Sequence, residues 1–116
     1  MPVSDLPSKV STLFVTGDGG NDTLTIDYSA GPPPGSRQLF LDGGFGNDTI
    51  ISISNSHQRL TNTRLSLAGV DEVAVANFEQ AALTGGAGNN NLNATGFDGQ
   101  ATLNGLAGND TLQGSP

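Results

Sequence analysis

The sequence predicts an all-β fold: a parallel β-solenoid, either β-helix or β-roll, of about five coils with glycine-rich turns stacked along one edge. Four glycine-rich segments share one pattern, alternating apolar residues flank them, and helix signals are nearly absent. A unit of strand, turn and strand cannot bury its apolar face alone, whereas stacked coils bury a continuous narrow core. A β-sandwich is the alternative, although the spacing does not show two-residue hairpin turns.

The repeated pattern is G-x-x-G-N-[DN]-x-[LI], and its copies occupy residues 17–25, 43–51, 85–93 and 105–113. They begin 26, 42 and 20 residues apart. Because the 42-residue interval corresponds to about two coils, we expect one degenerate turn inside it, with residues 68–73 as the best candidate. Leu65 or Leu67 would then contribute to an intervening coil between Leu41 and Leu83.

Short strands are predicted where Thr, Val, Ile and Leu alternate with other residues. In chain order they are residues 12–15, 23–27, 39–41, 49–53, 65–67, 73–75, 81–83, 92–94 and 102–104. Stacking should place Val15 beside Leu41 and Leu83 beside Leu103, at the parallel-strand spacing of about 4.8 Å. A second column, on the strands beyond the turns, should consist of Leu24, Ile50, Leu92 and Leu112. Three prolines at 32–34 cannot continue a strand ladder, so this connection should loop outward.

The whole chain, residues 1–116, is predicted to be a single solenoid domain, with residues 1–10 and 114–116 as frayed ends. Only 34% of its residues are hydrophobic and 5% aromatic, and it contains 17 glycines. A conventional two-layer core is therefore not expected to stabilise it alone. We expect the chain to be part of a larger protein.

The charge balance excludes several classes of function. Eleven acidic and four basic residues give a net charge of −7, so no basic patch for nucleic acid or an anionic membrane surface is expected. No apolar run approaches the roughly 20 residues of a membrane helix, so membrane insertion is not expected. The absence of cysteine removes disulfides and thiolate chemistry.

The glycine turns offer oxygen ligands. Glycine permits positive φ, so the backbone folds tightly and directs carbonyl oxygens inward, while the sixth position of the pattern adds a carboxylate. Ca²⁺ accepts six to eight oxygen ligands in irregular arrangements, whereas Mg²⁺ requires a stricter octahedron. On adjacent coils Asp22 and Asp48 would stand side by side, which is costly unless a cation lies between them. The turns therefore favour Ca²⁺.

Residues 43–51 resemble a complete copy of the repeats-in-toxin (RTX, hemolysin-type) calcium-binding nonapeptide, G-G-x-G-x-D-x-U-x. The other copies depart from it through Asp18 and Leu106 at the second glycine and Asn90 at the aspartate. Family copies run in tandem every nine residues, whereas these lie 20 or more apart, which favours a larger β-helix coil. Their surroundings are similar to repeats of large bacterial surface and secreted proteins.

The resemblance implies Ca²⁺ between successive turns, held by backbone carbonyls and aspartates. It carries over to these candidate metal ligands: Asp22, Asp48, Asp110, Asn90, Gly17, Gly20, Gly43, Gly46, Gly105 and Gly108. Asn90 and Asp110 offer a single carboxylate, so any site between them should be weaker. The alternative is a metal-free ladder in which equivalent asparagines hydrogen-bond from coil to coil: Asn21, Asn47, Asn89 and Asn109.

These observations predict a non-catalytic, extracellular Ca²⁺-binding module that serves as a spacer or Ca²⁺-assisted folding segment of a larger secreted or surface protein. Catalysis is not expected, because His57 is the only histidine and no G-x-S-x-G elbow is present. An alternative is a metal-independent solenoid that assembles end to end as a homo-oligomeric fibre. A more distant one is a polysaccharide-binding or polysaccharide-cleaving β-helix.

Overall fold

The computed structural model describes residues 12–28, 38–67 and 71–114, and this part of the chain is all-β. Its strands are β1 Thr12–Thr16, β2 Thr23–Asp27, β3 Gln38–Asp42, β4 Thr49–Ile53, β5 Gln58–Thr61, β6 Arg64–Leu67, β7 Asp71–Ala76, β8 Gln80–Thr84, β9 Asn91–Gly96, β10 Gln100–Asn104 and β11 Thr111–Gln113. Within these ranges no helix is long and apolar enough to cross a membrane. The proline loop at 32–34 and the predicted frayed residues 1–10, 115 and 116 lie outside the described residues.

The strands form two sheets, and the chain passes repeatedly from one to the other. The four-stranded sheet, in the order β10-β8-β4-β2, is entirely parallel. The seven-stranded sheet has the order β1-β3-β7-β6-β5-β9-β11 and is parallel except at β6, which runs antiparallel to both neighbours. Alternate side chains of both sheets join one buried apolar cluster. The second sheet is therefore mixed, where parallel pairing throughout was expected.

All nine predicted strands are confirmed, and the strands that flank the glycine turns pair in parallel as expected. The predicted neighbours are direct partners: Val15 with Leu41, Leu24 with Ile50, Leu83 with Leu103 and Leu92 with Leu112. Strand β5 was not predicted. In β5 the buried positions are Gln58 and Leu60, so its alternation contains only one apolar residue. The single column expected for Leu24, Ile50, Leu92 and Leu112 is wrong, because the first two lie in the four-stranded sheet and the last two in the seven-stranded sheet.

The prediction that all four glycine turns stack along one edge is wrong. Turns 17–22 and 43–48 lead from the seven-stranded sheet into the four-stranded sheet, together with turns 77–79 and 97–99; we call this side the first edge. Turns 85–90 and 105–110 lead in the opposite direction, as do residues 54–57; we call this side the second edge. Each edge therefore carries two of the four glycine turns.

The predicted degenerate turn at residues 68–73 is also wrong. Residues 71–73 begin β7, which pairs antiparallel with β6 in the same sheet and places Val73 opposite Leu65. Both side chains are buried, so reversing the chain within one sheet keeps both on the core face. Residues 68–70 lie outside the described part of the chain.

This reversal moves the later glycine turns to the other edge. Between turns 43–48 and 85–90 the chain changes sheets once at residues 54–57 and once at 77–79, with β5, β6 and β7 all in one sheet. The interval therefore contains two sheet changes and a meander, and the next glycine turn leaves the opposite sheet. As a result Leu41 pairs with Val75 whereas Leu83 pairs with Ser52, and Leu41 and Leu83 do not share the predicted column.

Candidate metal centre

Each glycine turn brings its sixth residue back against its first. A Cβ placed on Gly17 would lie 2.6 Å from Asp22 Oδ2, and one placed on Gly43 would lie 3.0 Å from Asp48 Oδ2. A side chain at the first position would therefore displace the oxygen of the sixth. The same approach occurs in all four turns: Gly17–Asp22, Gly43–Asp48, Gly85–Asn90 and Gly105–Asp110.

The second position separates one turn from the other three. Asp18, Gly44 and Leu106 occupy it with φ values of 61°, 80° and 60°. The two non-glycine residues keep this left-handed conformation although it costs L-residues about 1–2 kcal/mol. Neither Gly86 nor Gly88 has a positive φ, so the turn that lacks the aspartate also has a different backbone conformation.

On the first edge, successive turns are joined by hydrogen bonds to side-chain oxygens. The Asp22 N–H donates to Asp48 Oδ1 over 2.8 Å, and the Asn47 N–H donates to Asn21 Oδ1 over 2.9 Å. The Asp48 N–H in turn donates to Glu79 Oε2 over 2.8 Å. Asp22, Asp48 and Glu79 therefore stand on three consecutive turns and form one column of carboxylates.

Two oxygens of this column are buried without a hydrogen-bond partner: Asp22 Oδ2 and Asp48 Oδ2. Asp48 is 0% exposed. The Cβ placed on Gly17, which would lie 2.6 Å from Asp22 Oδ2, would also lie 2.8 Å from the carbonyl oxygen of Gly43. Both oxygens therefore lie against Gly17, and Asp22 Oδ2 is buried without a hydrogen-bond partner, which is costly without a compensating positive charge. This donor set fits a hard cation such as Ca²⁺.

The first edge is acidic as a whole. Its turns and adjoining strand ends carry six carboxylates: Asp18, Asp22, Asp42, Asp48, Glu79 and Asp98. Residues 12–28, 38–53, 71–80 and 91–104 contain no Lys, Arg or His. The turn between β5 and β6 reaches the same edge, where Asn62 bonds to Asp98, and the basic residue that follows it is Arg64. Across the described residues, no group of three or more His, Cys, Asp or Glu side chains is placed to hold a metal. An ion at this edge would therefore take most of its ligands from backbone carbonyls.

The second edge satisfies its sixth-position residue without a cation. Asn90 is 5% exposed; its Oδ1 accepts from the Gly86 N–H over 2.8 Å and its Nδ2 donates to Asn55 Oδ1 over 3.2 Å. Asn55 Oδ1 also accepts from the Gly88 N–H over 3.0 Å. The Asn90 N–H donates to Asp110 Oδ1 over 2.7 Å. An amide clamp formed by Asn55 and Asn90 therefore closes this stack.

The predicted asparagine ladder is present on both edges. Asn21 Oδ1 accepts from the Asn47 N–H on the first edge, and Asn89 Oδ1 accepts from the Asn109 N–H over 2.7 Å on the second. His57 joins the second stack as well, because its Nδ1 accepts from a backbone N–H of β9 over 2.9 Å. The single histidine thus links turn 54–57 to the start of β9.

The structure divides the predicted site residues into two groups. Asp22 and Asp48 lie on the first edge with Gly17, Gly20, Gly43 and Gly46, and the second edge holds Asn90, Gly105, Gly108 and Asp110. Sequence reasoning missed Glu79 and Asn55. A signal existed for Glu79, because it directly precedes β8 as Asp48 directly precedes β4. No comparable signal marked Asn55, which lies in a turn without the glycine pattern.

The comparison with protein families addresses these turns directly. Residues 14–25, 40–52 and 95–116 match the family model of the RTX calcium-binding nonapeptide repeat, in four copies. These segments are therefore similar to RTX calcium-binding repeats. These RTX ranges cover less than half of the chain; they include Asp22, Asp48 and Asp110 but leave out the turn at 85–90. Comparisons with curated proteins and with solved structures give no match.

Proposed function

We propose that this protein is a β-solenoid module whose coils are held together by Ca²⁺ at the first edge. The observation that carries the proposal is Asp22 Oδ2, a buried oxygen without a hydrogen-bond partner beside the carbonyl oxygen of Gly43. The ion supplies positive charge to the carboxylates of turns 17–22 and 43–48, which contain no Lys, Arg or His. The proposed ligands are the side chains of Asp22 and Asp48 and the carbonyls of Gly17, Gly20, Gly43 and Gly46.

A second, weaker site is proposed on the second edge. Asp110 supplies its one carboxylate, and Asn90, Gly105 and Gly108 supply neutral oxygens. Asn90 Oδ1 already accepts from Gly86, so an ion there competes with an existing hydrogen bond. This competition is the reason we expect the lower affinity.

Ion binding of this kind couples to folding. The buried carboxylates of the first edge oppose folding unless their charge is compensated, and a ligand that binds only the folded chain stabilises it by RT ln(1 + [Ca²⁺]/Kd). Extracellular Ca²⁺ modules have dissociation constants of roughly 0.1–1 mM. We therefore propose a non-catalytic spacer or Ca²⁺-assisted folding segment in a larger, secreted or surface-exposed bacterial protein.

Thermal unfolding followed by circular dichroism tests this function. We expect millimolar CaCl₂ to raise the Tm above that in EDTA, and NaCl of equal ionic strength to produce little of this rise. The variant Asp22→Asn should lose much of the Ca²⁺ response. Asp98→Asn removes the same charge from the same edge and should retain the response. Equal melting curves of the unchanged chain in EDTA and CaCl₂ would contradict the proposal.

The ends of the stack favour a second candidate function, end-to-end self-assembly without metal. Among the described strands, β1, β2, β10 and β11 each pair on one side only. In the last column Leu112 is 47% exposed, whereas its partner Leu92 is fully buried. Light scattering after size exclusion should then show a mass that rises with protein concentration, equally in EDTA and CaCl₂. A constant monomer mass would exclude this candidate.

A further inference from the structure

The first edge contains a second gap, between turn 43–48 and turn 77–79, and turn 77–79 lacks the glycine pattern. We propose that this gap is a further Ca²⁺ site, which we call the Asp48–Glu79 site. Asp48 is its buried carboxylate ligand, and residues Asn77 and Glu79 form its opposite wall. The RTX match covers residues 40–52 and excludes 77–79. The inference rests on the Ca²⁺ binding proposed above and adds a site that the repeat pattern does not assign.

The two carboxylate oxygens of Asp48 serve different gaps. Oδ1 accepts from the Asp22 N–H and so faces turn 17–22. Oδ2 has no partner although the residue is 0% exposed. It lies 3.0 Å from the position that a Cβ of Gly43 would occupy, and the carbonyl oxygen of Asn77 lies against that same position. At Gly17 the neighbouring oxygens are Asp22 Oδ2 and the Gly43 carbonyl. The same arrangement thus recurs at Gly43, one turn further along the stack.

Glu79 occupies the place of a sixth-position aspartate. Its Oε2 accepts from the Asp48 N–H over 2.8 Å, as Asp48 Oδ1 accepts from the Asp22 N–H. The backbones of the two turns are also hydrogen-bonded, because the N–H groups of Glu79 and Gln80 both donate to the Asp48 carbonyl oxygen over 3.0 Å. The longer glutamate side chain lets a three-residue turn present a carboxylate where a glycine turn presents an aspartate.

Asn77 has a left-handed backbone conformation, with a φ of 60°. It follows β7 directly, as Gly43 follows β3. Its Nδ2 donates to Asp42 Oδ1 over 2.8 Å, which ties turn 77–79 to the end of β3. Left-handed residues kept in place by such contacts are concentrated at ligand clamps and active sites. Here the clamp keeps the Asn77 carbonyl against Gly43.

Charge favours a cation over water as the missing partner. Asp48 and Glu79 are adjacent carboxylates, and turns 17–22, 43–48 and 77–79 contain no Lys, Arg or His. A water molecule would complete the hydrogen bonding of Asp48 Oδ2 but would leave the charge of both groups uncompensated. A divalent cation compensates it, and carboxylate with carbonyl oxygens is the ligand set that Ca²⁺ takes.

The test counts Ca²⁺ ions by native mass spectrometry and measures their affinities by isothermal titration with CaCl₂. It uses the full chain carrying Asp110→Asn, which removes the carboxylate of the second edge. We expect two ions. Glu79→Gln should remove one of them or weaken it at least tenfold, because glutamine still accepts from the Asp48 N–H but lacks the charge. Asp22→Asn should remove the other, and Asp98→Asn, the control on the neighbouring turn, should leave both.

The outcomes separate this inference from the proposed function. Two bound ions, of which Glu79→Gln removes or weakens one, support the Asp48–Glu79 site. A single ion that is lost in Asp22→Asn and unaffected by Glu79→Gln overturns the Asp48–Glu79 site and assigns water to Asp48 Oδ2. The site between turns 17–22 and 43–48 then stands. No ion bound to any form overturns both. Circular dichroism of Glu79→Gln in EDTA should match the parent, so that a lost ion is not a lost fold.

Discussion

The paired glycine turns of the two edges share a sequence pattern but satisfy their sixth residues by different chemistry. On the first edge Asp22 Oδ2 and Asp48 Oδ2 are buried without a partner. On the second edge Asn90 accepts through its oxygen and donates through its nitrogen to Asn55. A neutral amide carries its own donor and closes the stack, whereas a carboxylate needs a positive charge from outside. We therefore expect the sixth residue of each turn to decide whether its contact with the next turn depends on a cation.

The position of Asp110 shows that the partner turn matters as much as the residue itself. Asp110 follows the RTX pattern and lies within a matched range, and its Oδ1 accepts from the Asn90 N–H as Asp48 Oδ1 accepts from Asp22. However, the turn before it carries no carboxylate and has a different backbone at Gly86 and Gly88. We therefore expect the gap between turns 85–90 and 105–110 to bind a cation less well than the gap between turns 17–22 and 43–48.

The largest effect on Ca²⁺ affinity is expected when the sixth-position Asp48 of the first edge is replaced by asparagine, the residue at the sixth position of turn 85–90 on the second edge. In Asp48→Asn the new Nδ2 can donate to the Asn77 carbonyl, while Oδ1 still accepts from the Asp22 N–H. We expect Ca²⁺ affinity to fall about 100-fold, the equivalent of losing an interaction of about 3 kcal/mol with a charged group. Stability in EDTA should rise, because a buried unpaired carboxylate is removed.

Asp110→Asn is the matched control for this change. It removes one carboxylate from a glycine turn and keeps an acceptor for the Asn90 N–H, so we expect a smaller loss of Ca²⁺ affinity. Calorimetric titration of both variants with CaCl₂ makes the measurement. An equal loss, or a larger one at Asp110, would mean that the two edges do not differ in the way their hydrogen bonds indicate.

The reciprocal change is Asn90→Asp, with a smaller expected effect. The carboxylate cannot donate to Asn55 and adds a charge near Asp110, so stability in EDTA should fall by about 1–2 kcal/mol. Because the new pair of carboxylates resembles that of the first edge, CaCl₂ should restore the loss. Urea unfolding in EDTA and in CaCl₂ provides both values. A destabilisation that CaCl₂ leaves unchanged would show that the backbone of turn 85–90 prevents ion binding.

The sequence determined the strands more fully than the arrangement of the turns. Alternation located nine strands, because each buried position within them is read from a short local window. The edge on which turn 85–90 lies depends on how often the chain changes sheets between turns 43–48 and 85–90. An even number of changes places the two turns on opposite edges. The sequence does not reveal this number, because a hairpin inside one sheet has the same apolar alternation as a coil. Leu65 and Val73 fit both arrangements equally well.

The missed site residues have a similar physical cause. Glu79 and Asn55 act from turns without glycines, and they become partners of Asp48 and Asn90 only because the sheets stack those turns in space. They are 31 and 35 residues away from these partners along the chain. Gln58 was missed for a related reason: it is buried because its Nε2 donates to the backbone carbonyls of Ser54 and Thr84. Long-range polar pairs of this kind leave no periodic trace in the sequence.

The smallest expected effect concerns the feature that the two edges share. Asn21→Ala and Asn89→Ala each remove one exposed acceptor from the asparagine ladder and leave the N–H of Asn47 or Asn109 to water. We expect each to cost about 1 kcal/mol of unfolding free energy, the usual contribution of a single hydrogen bond. The two costs should agree in EDTA, because the ladder bonds of 2.9 and 2.7 Å have the same geometry on both edges. If CaCl₂ enlarges the cost of Asn21→Ala while that of Asn89→Ala stays constant, the first-edge ladder also positions the ion ligands. Equal costs in both conditions would confine the difference between the edges to their sixth residues, and a negligible cost at both would show that water replaces the ladder without loss.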